Sequence, residues 1–400
     1  MAAQLPIADP WPKDNRLDLK ALSAKTFHAY VHIPFCVVRC GYCDFNTYTA
    51  NEIGEISQAD FHKFLIQEIQ FSRRVLESSK VPSRLLKTIF FGGGTPSLFS
   101  PLQIEKMINA LGGNFGLTQD CEVTLEANPE TLSAEIIRGF RNAGINRISL
   151  GVQSFDPEVL AKLDRVHTEA KVLDAVAAAK ELGLRVSVDL IYGTPGESLE
   201  SWRQTLRKAI ALGVEHVSAY SLIVEDGTAM ARKISKGELP DVDEDLNADK
   251  YLLAEELLLA SGLENYEVSN WGSPSVHNQA YWESQDWWGY GPGAHSHIAG
   301  TRFWNHKHPA TYARLVSEGS PAHSLERVSE RSQLEERLLL ELRTNKGAPM
   351  SLIQELQVKP ELVAAAIADS LLVLDRNKHL VPTLSGRLVV DRLVLDFLTK

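Results

Sequence analysis

The chain is poor in cysteine: four in 400 residues. A disulfide-stapled scaffold is therefore excluded, because such scaffolds are short and cysteine-dense. It also lacks a surplus of positive charge. Lys and Arg number 41 against 51 Asp and Glu, a net charge of −10. A basic face for tracking phosphates is not evident, so nucleic acid is not an expected ligand. No apolar run reaches the roughly 20 residues needed to span a bilayer, so no transmembrane segment is expected. The richest, Tyr251 to Ala260, is interrupted by Glu255 and Glu256 and reads as an amphipathic helix. Met1 to Lys20 carries Asp9, Pro10, Pro12, Asp14 and Asp18 and no apolar h-region, so no signal peptide is expected. These absences together point to a reducing cytoplasm. The length exceeds one small core and predicts a large barrel-type domain with an appendage.

What cysteine there is sits together. Cys36, Cys40 and Cys43 fall within eight residues, directly after an apolar stretch, Ala29 to Phe35, that reads as a short strand closed by Pro34. Three thiolates on one loop suit three irons of a cubane cluster and leave the fourth iron free for a ligand. A disulfide would strand one cysteine. A structural zinc site would need a histidine or the distant Cys121 as its fourth ligand.

Downstream, a strand-and-helix unit recurs. Gly144, Gly183 and Gly213 each follow a helical pattern and precede a strand pattern, at intervals of 39 and 30 residues. Glycine just past a helix is the left-handed cap position, and the interval is that of one βα unit with parallel strands. Six strands are predicted, near 28–35, 87–91, 121–127, 146–153, 184–191 and 216–223. The fold class is α/β: an incomplete (β/α)6 TIM-like barrel followed by a small C-terminal helical, winged-helix-like domain. The unusual polar and glycine clusters all lie at or just after the strand ends: the cysteines, Gly92 to Pro96, Glu126 to Glu130, Gly151 to Phe155 and Asp189 with Tyr192 to Glu197. Barrel enzymes build their sites on that rim. Cys121 opens the third strand at the opposite end and is expected to be structural.

Four segments are expected: a loosely packed lead-in over 1–27, the barrel over 28–230, a helical and aromatic-rich extension over 231–325, and the C-terminal domain over 326–400. The extension holds five of the seven tryptophans. Its histidines 295, 297, 306 and 308 alternate with Gly, Pro and Trp, which suggests loops, and no metal is assigned to them. In the last segment, Leu371 to Leu380 reads as a hairpin followed by a helix over 384–398. Without a basic recognition helix, a packing or partner role is expected of it.

The spacing C-x3-C-x2-C with an aromatic residue between the last pair resembles the radical S-adenosylmethionine (SAM) enzymes. Further stretches extend the likeness: Tyr30-x-His32-Ile-Pro-Phe-Cys36, Phe91-Gly-Gly-Gly-Thr-Pro96, Glu126-x-Asn-Pro129, Gly151-Val-Gln153-Ser154-Phe155, Asp189-Leu-Ile-Tyr-Gly-x-Pro195 and Gly293-Ala-His-Ser296. The frame, from about residue 28 to the C-terminus, resembles the oxygen-independent coproporphyrinogen III oxidases and their relatives, the radical-SAM heme chaperones. The resemblance implies that Cys36, Cys40 and Cys43 ligate a 4Fe–4S cluster whose open iron takes SAM. It implies further that Tyr30, Gly92, Gly93, Thr95, Glu126, Gln153, Arg165 and Asp189 line the SAM site.

Two features lean toward the chaperone branch. The oxidase signature continues to a fourth cysteine two residues beyond the third, where this chain has Phe45. His277-Asn-Gln-Ala-Tyr281-Trp282 resembles the heme-binding motif of the chaperones, which implies His277 as a heme ligand. The implied function is heme binding and delivery to heme-accepting proteins, respiratory complexes at the inner membrane surface among them. The alternative is oxidative decarboxylation of coproporphyrinogen III in porphyrin biosynthesis.

Overall fold

The computed structural model describes residues 8–19, 25–49, 52, 53 and 56–399. All six expected strands form, in chain order and side by side: β2 Phe27–Ile33, β3 Leu86–Gly93, β4 Leu117–Ala127, β5 Arg147–Gln153, β6 Arg185–Tyr192 and β7 His216–Ser221. Every adjacent pair among them is parallel. The helices between them are α1 Gln58–Ser78, α2 Pro101–Phe115, α3 Ala134–Asn142, α4 Pro157–Lys162, α5 Glu169–Glu181 and α6 Leu199–Ala211. Their starts follow the caps legible in the sequence. Ser100 makes a capping box with Gln103 ahead of Pro101, Ser133 accepts from the Ile136 amide, and Asp156 accepts from Glu158 and Val159.

The ring does not close. After α7 Ala229–Ser235 and α8 Glu244–Ala260, the chain returns as the short hairpin β8 Asn265–Glu267 and β9 Asn270–Gly272. Strand β9 pairs antiparallel with β7, Val217 opposite Trp271. Helix α9 Val276–Trp282 follows. Then β10 Asp286–Tyr290 adds a seventh parallel strand on the far side, Trp287 opposite His28. Its composition, with two tryptophans and a glycine, hid that strand from the sequence reading. Antiparallel strands β11 His295–Ile298, β12 Thr301–Asn305 and, after α10 Pro309–Glu318, β13 Ala322–Arg327 continue the sheet. The stretch expected to be loops around His295 and His297 is therefore a strand. The two-residue β1, Asp9–Pro10, caps the edge on β13. The described part of the lead-in is not loose: Leu17 is 4% exposed, and the Trp11 ring packs on Phe71 and Phe303.

Strand alternation explains how such a sheet makes a site. One face of β2 to β7 is apolar and buried under the helices: Val31, Ile89, Phe91, Val123, Leu125, Ile148, Leu150, Val188 and Val217 all belong to the main core. The alternate positions, Phe90 on β3 being one exception, are largely polar. They include His28, Tyr30 and His32 on β2, Thr124 and Glu126 on β4, Arg147 and Ser149 on β5, Ser187 and Asp189 on β6, and His216 and Ser218 on β7. A (β/α)8 barrel fills that face with branched apolar residues. This one lines it with hydrogen-bonding groups.

The C-terminal segment has its own core, Leu338 to Phe397. It comprises α11 Glu330–Glu341, α12 Met350–Glu355, α13 Pro360–Ala368 and the three-stranded sheet of β14 Ala348–Pro349, β15 Leu372–Leu374 and β16 His379–Pro382. The expected hairpin is β15 with β16. The expected helix over 384–398 divides into α14 Leu384–Leu388 and α15 Val390–Leu398, because Val389 leaves the helical region (φ −122°, ψ 18°).

Candidate functional site

The cysteine loop leaves β2 at Ile33 and is stitched to the rim by backbone bonds. Gly94 N–H donates to the Ile33 carbonyl (2.8 Å), Thr95 N–H to Phe35 (2.8 Å) and Cys36 N–H to Tyr48 (3.0 Å). The three glycines after β3 are what permit this. A Cβ on Gly94 would come within 2.5 Å of the Phe35 carbonyl oxygen and 3.0 Å of Cys36 Sγ. One on Gly93, at φ +114°, would strike the His32 ring at 2.6 Å. A Cβ on Gly92 would meet Tyr30 at 2.9 Å and the Glu126 carboxylate at 3.2 Å. The Gly93 amide donates to that carboxylate (3.1 Å).

Cys36, Cys40 and Cys43 are free and half-buried, while Cys121 is buried. Thr95 Oγ1 lies 3.8 Å from Cys36 Sγ. Burial pushes the Cys36 and Cys43 thiols above their ordinary range, and the neighbouring cysteines add to it. Among the described residues, no three His, Cys, Asp or Glu side chains are grouped to hold a single metal ion. A cubane asks for something else, one thiolate per iron on one loop, and this donor set fits it.

Below the rim lie two half-buried carboxylates. Burial, with Asp189 as the second cause, raises the Glu126 pKa to about 8. Asp189 is likewise raised by burial, although Ser218 Oγ (2.7 Å) and Ser149 Oγ (2.8 Å) donate to it. Arg165 donates from Nη2 to Asn128 Oδ1 and to the Gly151 carbonyl, both at 2.8 Å, while its buried Nε has no partner among the described residues. Gln153 sits at φ +63°, beside a bulge in the β5–β6 register, an uncommon setting for a residue with a side chain. Tyr30 is tied in through His32. The ring Nε2 faces the Asn46 carbonyl (2.9 Å) and must donate to it, so Nδ1 accepts from the Tyr30 hydroxyl (3.0 Å). Paired acceptors and an unpartnered guanidinium nitrogen fit a zwitterionic ligand with hydroxyl groups, as SAM is.

Sequence reasoning missed several of these groups. Ser149, Ser218 and Asn128 orient the expected residues, and Arg147, 2% exposed with an unpartnered Nε, is a cation inside the barrel. The signal was available as polar residues at every second position of strands whose other positions are Val, Ile and Leu.

His277 is placed differently from what its motif implied. It lies toward the strand starts beside Thr88 and Glu122, 2% exposed, its ring stacked on Phe90 with centroids 5.0 Å apart and 6.5 Å from the Tyr30 ring. Both ring nitrogens are engaged, Nδ1 with Thr88 Oγ1 (2.5 Å) and Nε2 with the Tyr281 hydroxyl (2.9 Å). Its backbone N–H donates to Glu122 (3.0 Å). As folded, the side chain offers iron no free nitrogen and a porphyrin no access. The physical reason is that α9 turns inward, and its histidine completes a hydrogen-bond chain through Thr88 to His28 and Thr26.

An open parallel sheet with three thiols on the first loop and a glycine turn on the second defines a radical SAM protein. Residues 30–209 match the Radical SAM superfamily. The heme chaperone HemW of Mycobacterium tuberculosis (strain CDC 1551 / Oshkosh) is 40% identical over 385 residues, covering 95% of this chain and 97% of that one. HemW of Bacillus subtilis (strain 168) is 36% identical, covering 80% and 84%. The mitochondrial radical S-adenosyl methionine domain-containing protein 1 of Mus musculus is 35% identical, covering 92% and 86%. The chain belongs to the HemW family. In fold it also resembles the coproporphyrinogen III oxidase HemN from Escherichia coli, with a TM-score of 0.79 at 24% identity, covering 94% of this chain and 90% of that one. The cofactors of the superfamily are a 4Fe–4S cluster and SAM. No helix among the described residues is long and apolar enough to cross a membrane.

Proposed function

We propose that the chain is a heme chaperone, which holds a 4Fe–4S cluster and SAM at the barrel mouth, binds heme and passes it to acceptor proteins. The observation that carries this is the likeness to HemW chaperones at 36–40% identity over most of both chains. Phe45, 63% exposed where the oxidase pattern has a fourth cysteine, favours the same reading. Cys36, Cys40 and Cys43 would ligate the cluster. Tyr30, Gly92, Gly93, Thr95, Glu126, Gln153, Arg165 and Asp189 would line the SAM site. When bound, the cluster supplies an iron with an open position for SAM. The protein's own groups do the rest: Arg165 Nε donates, Glu126 and Asp189 accept, and the serines hold Asp189 in place. The acceptors are respiratory hemoproteins, met in the cytoplasm at the inner membrane surface. The C-terminal domain divides from the rest near residue 325, while the aromatic extension shares the barrel's sheet and core.

The test uses anaerobically reconstituted full-length protein, assayed side by side for heme binding and for coproporphyrinogen III turnover. Heme binding, transfer to an apo-acceptor and no turnover are expected. Turnover to protoporphyrinogen would sink the chaperone reading.

A further inference from the structure

The guanidinium of Arg147 sits inside the barrel, 2% exposed. Among the described residues its Nε has no partner and no carboxylate stands within ion-pair distance of it. The acids nearby are taken by other donors: Glu122 by Arg185 (2.9 Å), Glu126 by the Gly93 amide (3.1 Å), and Asp189 by Ser149 and Ser218. A guanidinium does not shed its proton, so leaving one buried and unpaired is costly. Two further donors on the same sheet face are stranded. Thr124 Oγ1, on β4 directly opposite Arg147, is buried with no partner. His216 on β7 is the other. The Tyr266 hydroxyl accepts from Asn278 Nδ2 (3.3 Å) and the Ser275 amide (3.5 Å), so it donates its own proton to His216 Nε2 (2.9 Å). The imidazole, kept neutral by burial and then by Arg147 and Arg185, must carry its proton on Nδ1, which is buried and unpartnered.

The strand register sets these groups around one gap. Ser149, two residues beyond Arg147 on the same face of β5, stands opposite Ser187, and Ser187 stands opposite His216. The two serine hydroxyls bond each other (2.8 Å), and their side chains are too short to fill the span from Arg147 to His216. A closed barrel puts branched apolar side chains in such a row. The chamber opens past Glu126 and Asp189, which are half-buried, and past Tyr220, which is exposed. One fixed positive charge with neutral N–H and O–H donors beside it answers one negative charge. A carboxylate fits that demand, whereas a phosphate dianion would set a second charge against Asp189.

We propose that the barrel interior holds a carboxylate between Arg147, Thr124 and His216. That group belongs either to a side chain of heme, which rests on the heme reading above, or to a free small acid. The experiment compares reconstituted full-length wild type with Arg147→Met, which keeps much of the side chain's length without the charge. In urea the variant should unfold at or above the wild-type midpoint, because a buried charge without a partner destabilises the fold. A midpoint well below wild type would make Arg147 a structural cation and overturn the site. Sodium propionate should raise the thermal midpoint of the wild type above that in sodium chloride of equal ionic strength, and should not do so in Arg147→Met. Ferric heme and its dimethyl ester, which has no free carboxylate, are then titrated into both proteins. If the carboxylate is heme's, the ester binds wild type at least about tenfold more weakly than heme, and the two bind Arg147→Met alike. If it comes from a free acid, heme and ester bind wild type alike while propionate still protects. Absence of propionate protection together with equal binding of heme and ester overturns the site, as does protection that persists in Arg147→Met. Failure of the wild type to bind heme sinks the heme reading, and the propionate result then decides the site by itself.

Discussion

The two ends of the barrel carry the two stretches that stand out most in the sequence, and they treat them oppositely. At the mouth, the cysteine loop is tied down by backbone bonds while its thiols stay half-open and unpaired. At the floor, the His277 motif is spent inward, with its imidazole, its amide and its tyrosine all engaged. The mouth leaves polar atoms to a ligand, and the His277 imidazole is satisfied within the protein. A motif can mark a binding group or a buried network, and only accessibility tells them apart.

The largest effect should come at the mouth. Replacing any one of Cys36, Cys40 and Cys43 by Ala should abolish the 4Fe–4S absorbance and iron content, with little change in thermal unfolding of the apoprotein. A full cluster in any single variant would mean that another group substitutes. Cys121→Ala should leave iron content unchanged.

At the floor the effect should fall on stability. The buried Glu122 carboxylate accepts from Arg185 Nη1 (2.9 Å), Ser275 Oγ (3.3 Å) and the His277 amide (3.0 Å). Glu122→Ala strands those donors, and a loss of about 3 kcal/mol in denaturant unfolding is expected, reduced from a fully buried pair because Arg185 is part-exposed. His277→Ala should lose about 2 kcal/mol through its hydrogen bonds and its packing on Phe90. If His277→Ala unfolds like wild type yet loses heme, the contrast between the two ends fails.

The smallest effect is a pH slope. Glu126, raised by burial and by Asp189 and eased by the Gly93 amide and Arg147, stays protonated up to about pH 8. Its folded pKa lies above the unfolded value, so its contribution to stability is full below the ordinary carboxylate range and is lost as pH rises through about 8. A ligand that donates to the ionised carboxylate expels that proton. SAM affinity should therefore rise with pH, at most about tenfold per unit, and level off above about pH 8. Glu126→Gln should bind more weakly with a flatter profile in isothermal titration. An unchanged slope in that variant would remove Glu126 from the site.

Much of this was legible beforehand, and the limits have physical causes. The six parallel strands and their helix caps depend on local spacing, on Ser100, Ser133 and Asp156, and on glycines after helices. The seventh strand, β10, was not legible, because Asp286-Trp-Trp-Gly-Tyr290 becomes a strand by pairing with β2 more than 250 residues earlier. His295 was lost in an apparent loop because Gly, Pro and Trp interrupt the strand pattern, although β11 pairs with its neighbours β10 and β12.

The sequence by itself determined that three thiols share one loop and that a glycine turn follows the next strand, since both are matters of covalent spacing. It also carried the alternation that makes one sheet face apolar and the other polar. Tertiary structure alone decided which histidine is shut in and which is open. Chain distance does not record burial, and a nitrogen already bonded to Thr88 cannot also serve a metal.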